Sequence, residues 1–210
     1  MTSWCINNLE VISDEATRKS ILATVTTVPP TVDGINNEGQ EAYIFQNLLP
    51  CPTRPEADEM DGYYWRIANW GTKWADNNTE ITSMSDDDLQ FVFSTAWSPP
   101  CAGIQNISKN YPDAHFILTW ESSEDCYMGG AVYKAGETLH EVTIEGDDYP
   151  QFDGDFASEE DADSYQKYAD DMCDLRDRIQ TELWEVTQDN DEGCGKWGCK
   201  DCYPDDEVTQ

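Results

Sequence analysis

The chain has 210 residues, enough for one substantial domain or a domain with an appendage. Its 43 acidic residues against 12 basic ones leave a net charge of −31, a field that repels nucleic acid and anionic membranes and favours basic partners, cations or a salty medium. With 39% hydrophobic and 11% aromatic residues it can fill a core, which excludes global disorder.

The first predicted element is a strand over 3–12, "SWCINNLEVI", β-prone but imperfectly alternating. Asp14 has the chemistry of a helix N-cap, and "EATRKSILATV" follows as a short helix. Residues 26–62 are rich in Pro, Gly, Asn and Glu and read as loops around one apolar anchor, "AYIFQNLLP". Strands are predicted over 79–85 and in "LQFVFSTAW", where Leu89, Phe91 and Phe93 share one face. "SPP" at 98–100 reads as a helix entry, with Ser98 as cap and a helix running to about Tyr111. "DAHFILTWE" is the next strand, with Ala114, Phe116, Leu118 and Trp120 facing one way. A hairpin turning at "KAGE" follows.

This order predicts an α+β fold: a ferredoxin-like antiparallel sheet with helices on one face, occupying 1–145 with long loops at 26–78. Residues 146–210 form an acidic helical appendage with a Cys-rich tail, holding about half of the acids in under a third of the length. Ser158 before "EED" reads as a helix start. Tyr165, Tyr168, Met172, Leu175, Ile179, Leu183 and Val186 then recur at spacings of three and four. That stripe must lie on the sheet domain or on another copy of itself, and the first is favoured.

Three motifs in order carry a resemblance: "WCINNL" at 4–9, "NWGTKW" at 69–74 and "TAWSPP" at 95–100. Together with "PDAHFILTWE" and "MGGAVY" they resemble the YubB-type ferredoxin-like family of phage and plasmid proteins, over about residues 1–145. The resemblance implies an intracellular protein of a mobile element. It implies no reaction and no catalytic residues.

Trp70, Lys73, Trp74 and Trp97 form the aromatic candidate. As a loop-locking cluster they would be buried at one end of the sheet, with Gly71 permitting the turn, and Trp97→Ala would cost on the order of 3–5 kcal/mol. As a groove, Trp70, Lys73 and Trp97 would line a ligand or peptide site.

"CGKWGCKDC" gives Cys194, Cys199 and Cys202, three thiolates in a glycine-punctuated loop that could wrap one structural zinc ion. A fourth ligand is needed; Cys173 is the first choice, with Asp201, His140 and Cys126 as alternatives. Free or disulfide-paired thiols are the competing reading, and an iron–sulfur pattern lacks its downstream cysteine. Cys101 begins a helix, whose dipole could lower its thiol pKa. The two histidines, His115 and His140, stand in no catalytic signature. The chain is therefore expected not to be an enzyme. With no basic-then-apolar opening and no apolar run of about 20 residues, a cytoplasmic location is expected.

The charge points to a partner. Asp163, Asp170, Asp174, Asp177 and Glu185 would face outward from the tail helix. A compact acidic protein of this kind could imitate DNA and inhibit a basic, nucleic-acid-binding host protein, without touching nucleic acid or membrane itself. The alternatives are a structural or assembly protein with a zinc-stapled docking tail, and an unrecognised enzyme. Solubility alone is what charged helix faces usually supply.

Overall fold

A computed structural model describes residues 3–29, 39–52, 59–85, 88–152, 154 and 162–189. Strand β1 (Trp4–Ile12) leads into helix α1 (Glu15–Val25), capped by Asp14, whose carboxylate accepts from the Thr17 amide at 3.0 Å. Helices α2 (Ile44–Leu48) and α3 (Glu59–Asn69) follow, then strands β2 (Asn77–Met84) and β3 (Asp88–Ala96). Helix α4 (Cys101–Ser108), strands β4 (His115–Ser122), β5 (Tyr127–Lys134) and β6 (Glu137–Glu145), and helix α5 (Ala162–Asp189) complete the order.

The six strands pair antiparallel in the order β2-β3-β1-β4-β5-β6. The β1-α1-β2-β3-α4-β4 set is the ferredoxin-like plan, and β5 and β6 extend the sheet beyond β4. The β5–β6 turn lies at Ala135 and Gly136, both at positive φ (53° and 85°), as a two-residue hairpin turn requires.

One sheet face is sealed. Cys5, Leu9 and Val11 of β1, Leu89, Phe91 and Phe93 of β3, and Phe116, Leu118 and Trp120 of β4 join Ile21, Phe45, Trp70 and Ile104 of the helical side in one core. The region read as long loops contains α2 and α3. Within 62–69 of α3 the half-buried positions are Gly62, Tyr63, Trp65, Arg66 and Asn69, while Ile67 is exposed, so its helical period is not written in aliphatic residues. Asp76 ties this region down. Its buried carboxylate accepts from the amides of Ile44 (3.1 Å) and Phe45 (2.9 Å), from the Thr79 hydroxyl (2.6 Å) and from Gln40 (3.3 Å). It thereby satisfies two of the orphan donors at the start of α2.

Helices α1 to α4 lie on that one face, as expected, and the added C-terminal helix α5 lies on the other. Met172, Leu175, Ile179 and Leu183 pack on Ile117, Met128 and Val132. Burying such side chains stabilises by about 1.5–3 kcal/mol each. Gly130 lets the helix close in: a Cβ there would lie 2.3 Å from Leu183 Cδ1 and 3.1 Å from the Leu118 carbonyl. The pairs Arg176–Glu121 (2.8 Å) and His140–Glu182 (2.6 Å) fasten the helix on its two sides. The apolar stripe therefore meets the sheet of its own chain, as favoured. The expected start at Ser158 falls outside the described residues.

Candidate functional site

The five acids of α5 form a ridge. At 100° per residue, Asp163, Asp170, Asp174, Asp177 and Glu185 fall within an arc of about 80°, while Met172, Leu175, Ile179 and Leu183 centre on the opposite side. All five are exposed. They span about 33 Å at a rise of 1.5 Å per residue. Two of the three cations on the helix are already engaged: Lys167 pairs with Asp171 at 3.5 Å, and Arg176 is bidentate to Glu121 at 2.8 and 3.1 Å. The bond to Glu121, above all, raises the pKa of the Arg176 guanidinium.

Beside the ridge lies a groove of about 710 Å³. It exists because α5 packs over β4, β5 and β6 and reaches β1 only at its edge, through Ile12 and the Gln180–Glu10 bond, so that among the described residues no helix covers the rest of that face of β1, β3 and β2. Ile6 and Asn8 of β1 and Ile117 and Thr119 of β4 form its floor; Arg176, Asp177 and Gln180 of α5 form one wall. Ile6 is 45% exposed, although it is a strand residue of a central strand. Glu10, Glu121, Glu124 and Asp177 make the lining acidic. The Glu10 carboxyl is held above its ordinary pKa, first by burial and then by the nearby Asp88 charge, against a hydrogen bond from Gln180. The imperfect alternation of "WCINNLEVI" was the only sequence trace of this face.

The tryptophans separate into two groups. Trp70 is 1% exposed, with ring contacts to Phe45 and Trp65, and its indole N–H donates to the Leu49 carbonyl at 2.8 Å. Trp97 is 44% exposed at φ 72°. The expected burial of Trp97 is therefore corrected. Its amide donates to the Ser3 carbonyl at 3.0 Å and its carbonyl accepts from the Tyr127 hydroxyl at 3.0 Å, and this left-handed backbone turns the indole outward. The Lys73 ammonium sits over Trp74 (4.2 Å) and Trp97 (4.7 Å), and Trp74 also meets Trp4 at 6.3 Å. Trp70 belongs to the core and not to this group, so a groove lined by Trp70, Lys73 and Trp97 together is not formed. Ser98 is not the cap of α4 either; its hydroxyl donates to the Gly71 carbonyl at 2.7 Å, and Pro100 holds the cap position.

Of the proposed zinc ligands, Cys173 is exposed on α5, while Cys194, Cys199, Cys202 and Asp201 lie outside the described residues. Among the alternatives, His140 is bonded to Glu182 and Cys126 stands in the β4–β5 turn at φ 53°. Among the described residues no three His, Cys, Asp or Glu side chains are grouped to hold a metal ion. Cys101 does not gain from its helix start: burial pushes its thiol up to about 11, and burial does the same to Cys5. No helix among the described residues is long and apolar enough to cross a membrane.

Residues 69–168 match the family described as the ferredoxin-like domain in Api92-like protein. Among solved structures, the crystal structure of a protein api92 from Yersinia pseudotuberculosis is similar with a TM-score of 0.42 and 9% sequence identity, covering 70% of this chain and 99% of that one. No curated protein matches.

Proposed function

We propose that this chain is a non-enzymatic acidic binding protein of a mobile element, which engages and inhibits a basic, nucleic-acid-binding protein in the cytoplasm of its host. The observation that carries the reading is the α5 ridge: five exposed carboxylates on one line, backed by a stripe buried on the sheet. A rigid backing matters because charges fixed in place attract a complementary surface without first losing chain entropy. The YubB-like motifs support the mobile-element setting. The raised thiols of Cys5 and Cys101 argue against either of these two as a nucleophile.

Magnitude sets the kind of mimicry. The ridge offers one carboxylate per roughly 8 Å along the helix, whereas duplex DNA presents one charge per roughly 1.7 Å of axis. The helix is thus a sparse counterpart of a basic surface, and steering and complementarity do more for it than any copying of the phosphate lattice. A zinc ion on Cys194, Cys199 and Cys202, with Cys173 reaching from α5, belongs to the same proposal as a clasp on the tail. Elemental analysis of tag-free protein reads it: about one zinc per chain is expected, and disulfide-paired cysteines without metal rule it out.

The test is capture of the partner from host lysate at low and high salt, followed by displacement of nucleic acid from that partner. The fivefold variant Asp163→Asn, Asp170→Asn, Asp174→Asn, Asp177→Asn, Glu185→Gln is the control. The parent should bind and displace, with affinity falling steeply as salt rises. A folded variant that holds the same partner as tightly would show the ridge to be a solvated surface only.

A further inference from the structure

We propose that the β1–β3–β2 face beside α5, which no helix among the described residues covers, is a docking groove for one basic amphipathic helix of a partner protein. Its apolar side would sit on Ile6 and Trp184, and its Lys or Arg side chains would meet Glu10, Glu124 and Asp177. This rests on the reading above that the partner is a basic protein, and it names the shape that protein presents.

The secondary structure of the occupant follows from hydrogen bonding. Backbone N–H and C=O groups point along the sheet and not out of its face, and those of β1 and β3 are engaged in ladders on both sides. An extended segment laid there would find no backbone partners, and buried unpaired groups are costly. A helix satisfies its own backbone. The width agrees: three strands at about 4.8 Å give roughly 14 Å, room for one helix of about 10–12 Å. Helix α5 already shows the arrangement on the neighbouring strands, so a second helix would complete the layer.

The chemistry of the occupant follows from the lining. Among the lining residues Arg176 is the cation, and it is committed to Glu121, whereas Glu10, Glu124 and Asp177 are acidic. Asp88 stands close enough to Glu10 to add like-charge repulsion, which an incoming ammonium or guanidinium would relieve. The apolar anchors are present. Ile6 lines the groove and is 45% exposed; Trp184 lies outside the lining, one turn on from the lining residue Gln180 along α5, and is 48% exposed, a residue type that dominates binding energy when covered. Charge also argues against the other occupants. A second copy brings another −31, and residues 190–210 carry six acids against two lysines.

The experiment uses the full chain and two labelled synthetic peptides of Leu and Lys with the same composition. One places leucines at helical period; the other is scrambled so that no apolar face forms. Fluorescence anisotropy gives affinities, and amide chemical shifts give the location. The patterned peptide should shift Ile6, Asn8, Glu10 and Gln90, and should bind about tenfold or more weakly to Ile6→Lys and to Trp184→Ala, each about 1.4 kcal/mol or more. Both positions are exposed, so unchanged melting is expected and checks that the variants fold. The scrambled peptide should bind both variants as it binds the parent. If the patterned peptide shifts only the outer α5 ridge, the groove is overturned and the acidic-binder reading survives. If neither peptide binds at 150 mM salt, both fall. A concentration-dependent dimer that Ile6→Lys dissolves would overturn the groove in favour of self-association.

Discussion

The two faces of this sheet are built from the same strands and end in opposite states. On one, α1 to α4 close over Phe91, Phe93, Phe116 and Leu118, each at most 1% exposed. On the other, α5 covers the β4–β6 half, and among the described residues the β1–β3–β2 half stays open with Ile6, Asn8 and Gln90 at its surface. The difference teaches where each property resides. Stability is concentrated on the sealed face, where alternate positions of β1 and β3 are apolar except for Asn7 and Thr95, which are hydrogen-bonded to each other. Charge and access are concentrated on the half-covered face, where one helix supplies both the acidic ridge and the groove wall. Substitutions on the first should unfold the chain, and substitutions on the second should alter what it binds.

The sharpest test of that division is Trp70→Ala. Trp70 is 1% exposed, contacts Phe45 and Trp65, and spends its N–H on Leu49. Its truncation should cost about 3–5 kcal/mol. Chemical denaturation reads the loss. A cost under about 1 kcal/mol would show that this face is not where the stability lies.

Next in size is the attachment of α5. Leu183 is fully buried against Gly130, and Leu183→Ala should cost about 2–4 kcal/mol. Gly130→Ala should cost about 1–3 kcal/mol by overpacking, because its Cβ would fall on Leu183 Cδ1. Combined, the two should cost clearly less than their sum, since the shortened side chain vacates the space that the new methyl takes. Hydrogen exchange should show faster opening of α5 in either single variant while α1 and α4 keep their protection. Additive costs would mean that Gly130 does not set the approach of the helix.

Trp97→Ala should cost about 1–2 kcal/mol, well below Trp70→Ala, because the indole is 44% exposed and its loss forfeits the contacts with Trp74 and Lys73. Trp97→Gly should be at least as stable as Trp97→Ala, since φ 72° strains any residue with a Cβ. Parallel thermal melts of the two variants decide it. If Trp97→Ala melts like Trp70→Ala, Trp97 is part of the core after all.

These contrasts also mark what the sequence could disclose. The sealed face was legible because Leu89, Phe91 and Phe93 alternate in one strand and Phe116, Leu118 and Trp120 in another. The stripe of α5 was legible because spacings of three and four persist over several turns. Helix α3 was not, because its half-buried positions mix Tyr63 and Trp65 with Gly62, Arg66 and Asn69 while Ile67 faces outward, so no apolar stripe marks its period. Trp97 was misjudged because residue type suggests burial while a single backbone angle decides against it. The burial of His115 and Ile117 depends on the face of β4 opposite to the one read as core. The ridge acids could be named from helical spacing alone, whereas the groove could not. It depends on which half of the sheet α5 covers, and that is fixed by contacts such as Leu183 on Gly130, far apart in sequence.

The smallest expected effect probes the groove in the absence of any partner. Glu10 is half-buried on β1, accepts from Gln180 at 3.3 Å, and has a carboxyl pKa raised above its ordinary 4.5, first by burial and then by Asp88. A raised folded-state pKa means that the native state holds its proton more tightly than the unfolded chain does. Stability from this group is therefore present below the ordinary value and is lost as pH rises through the folded-state pKa. At neutral pH the carboxylate is a net cost, and the neutral isostere removes it while its carbonyl oxygen keeps the Gln180 bond. Glu10→Gln should thus stabilise the free protein at pH 7 by a few tenths of a kcal/mol, and the gain should vanish near pH 4, where both chains carry a neutral group. The same substitution should weaken the helical Leu/Lys peptide, because the charge that destabilises the free groove is one that a bound cation would need. Melting curves at the two pH values, set beside peptide affinity, measure both signs. A variant that is more stable at pH 7 and binds the peptide unchanged would leave Glu10 as a misplaced charge and remove it from the docking surface.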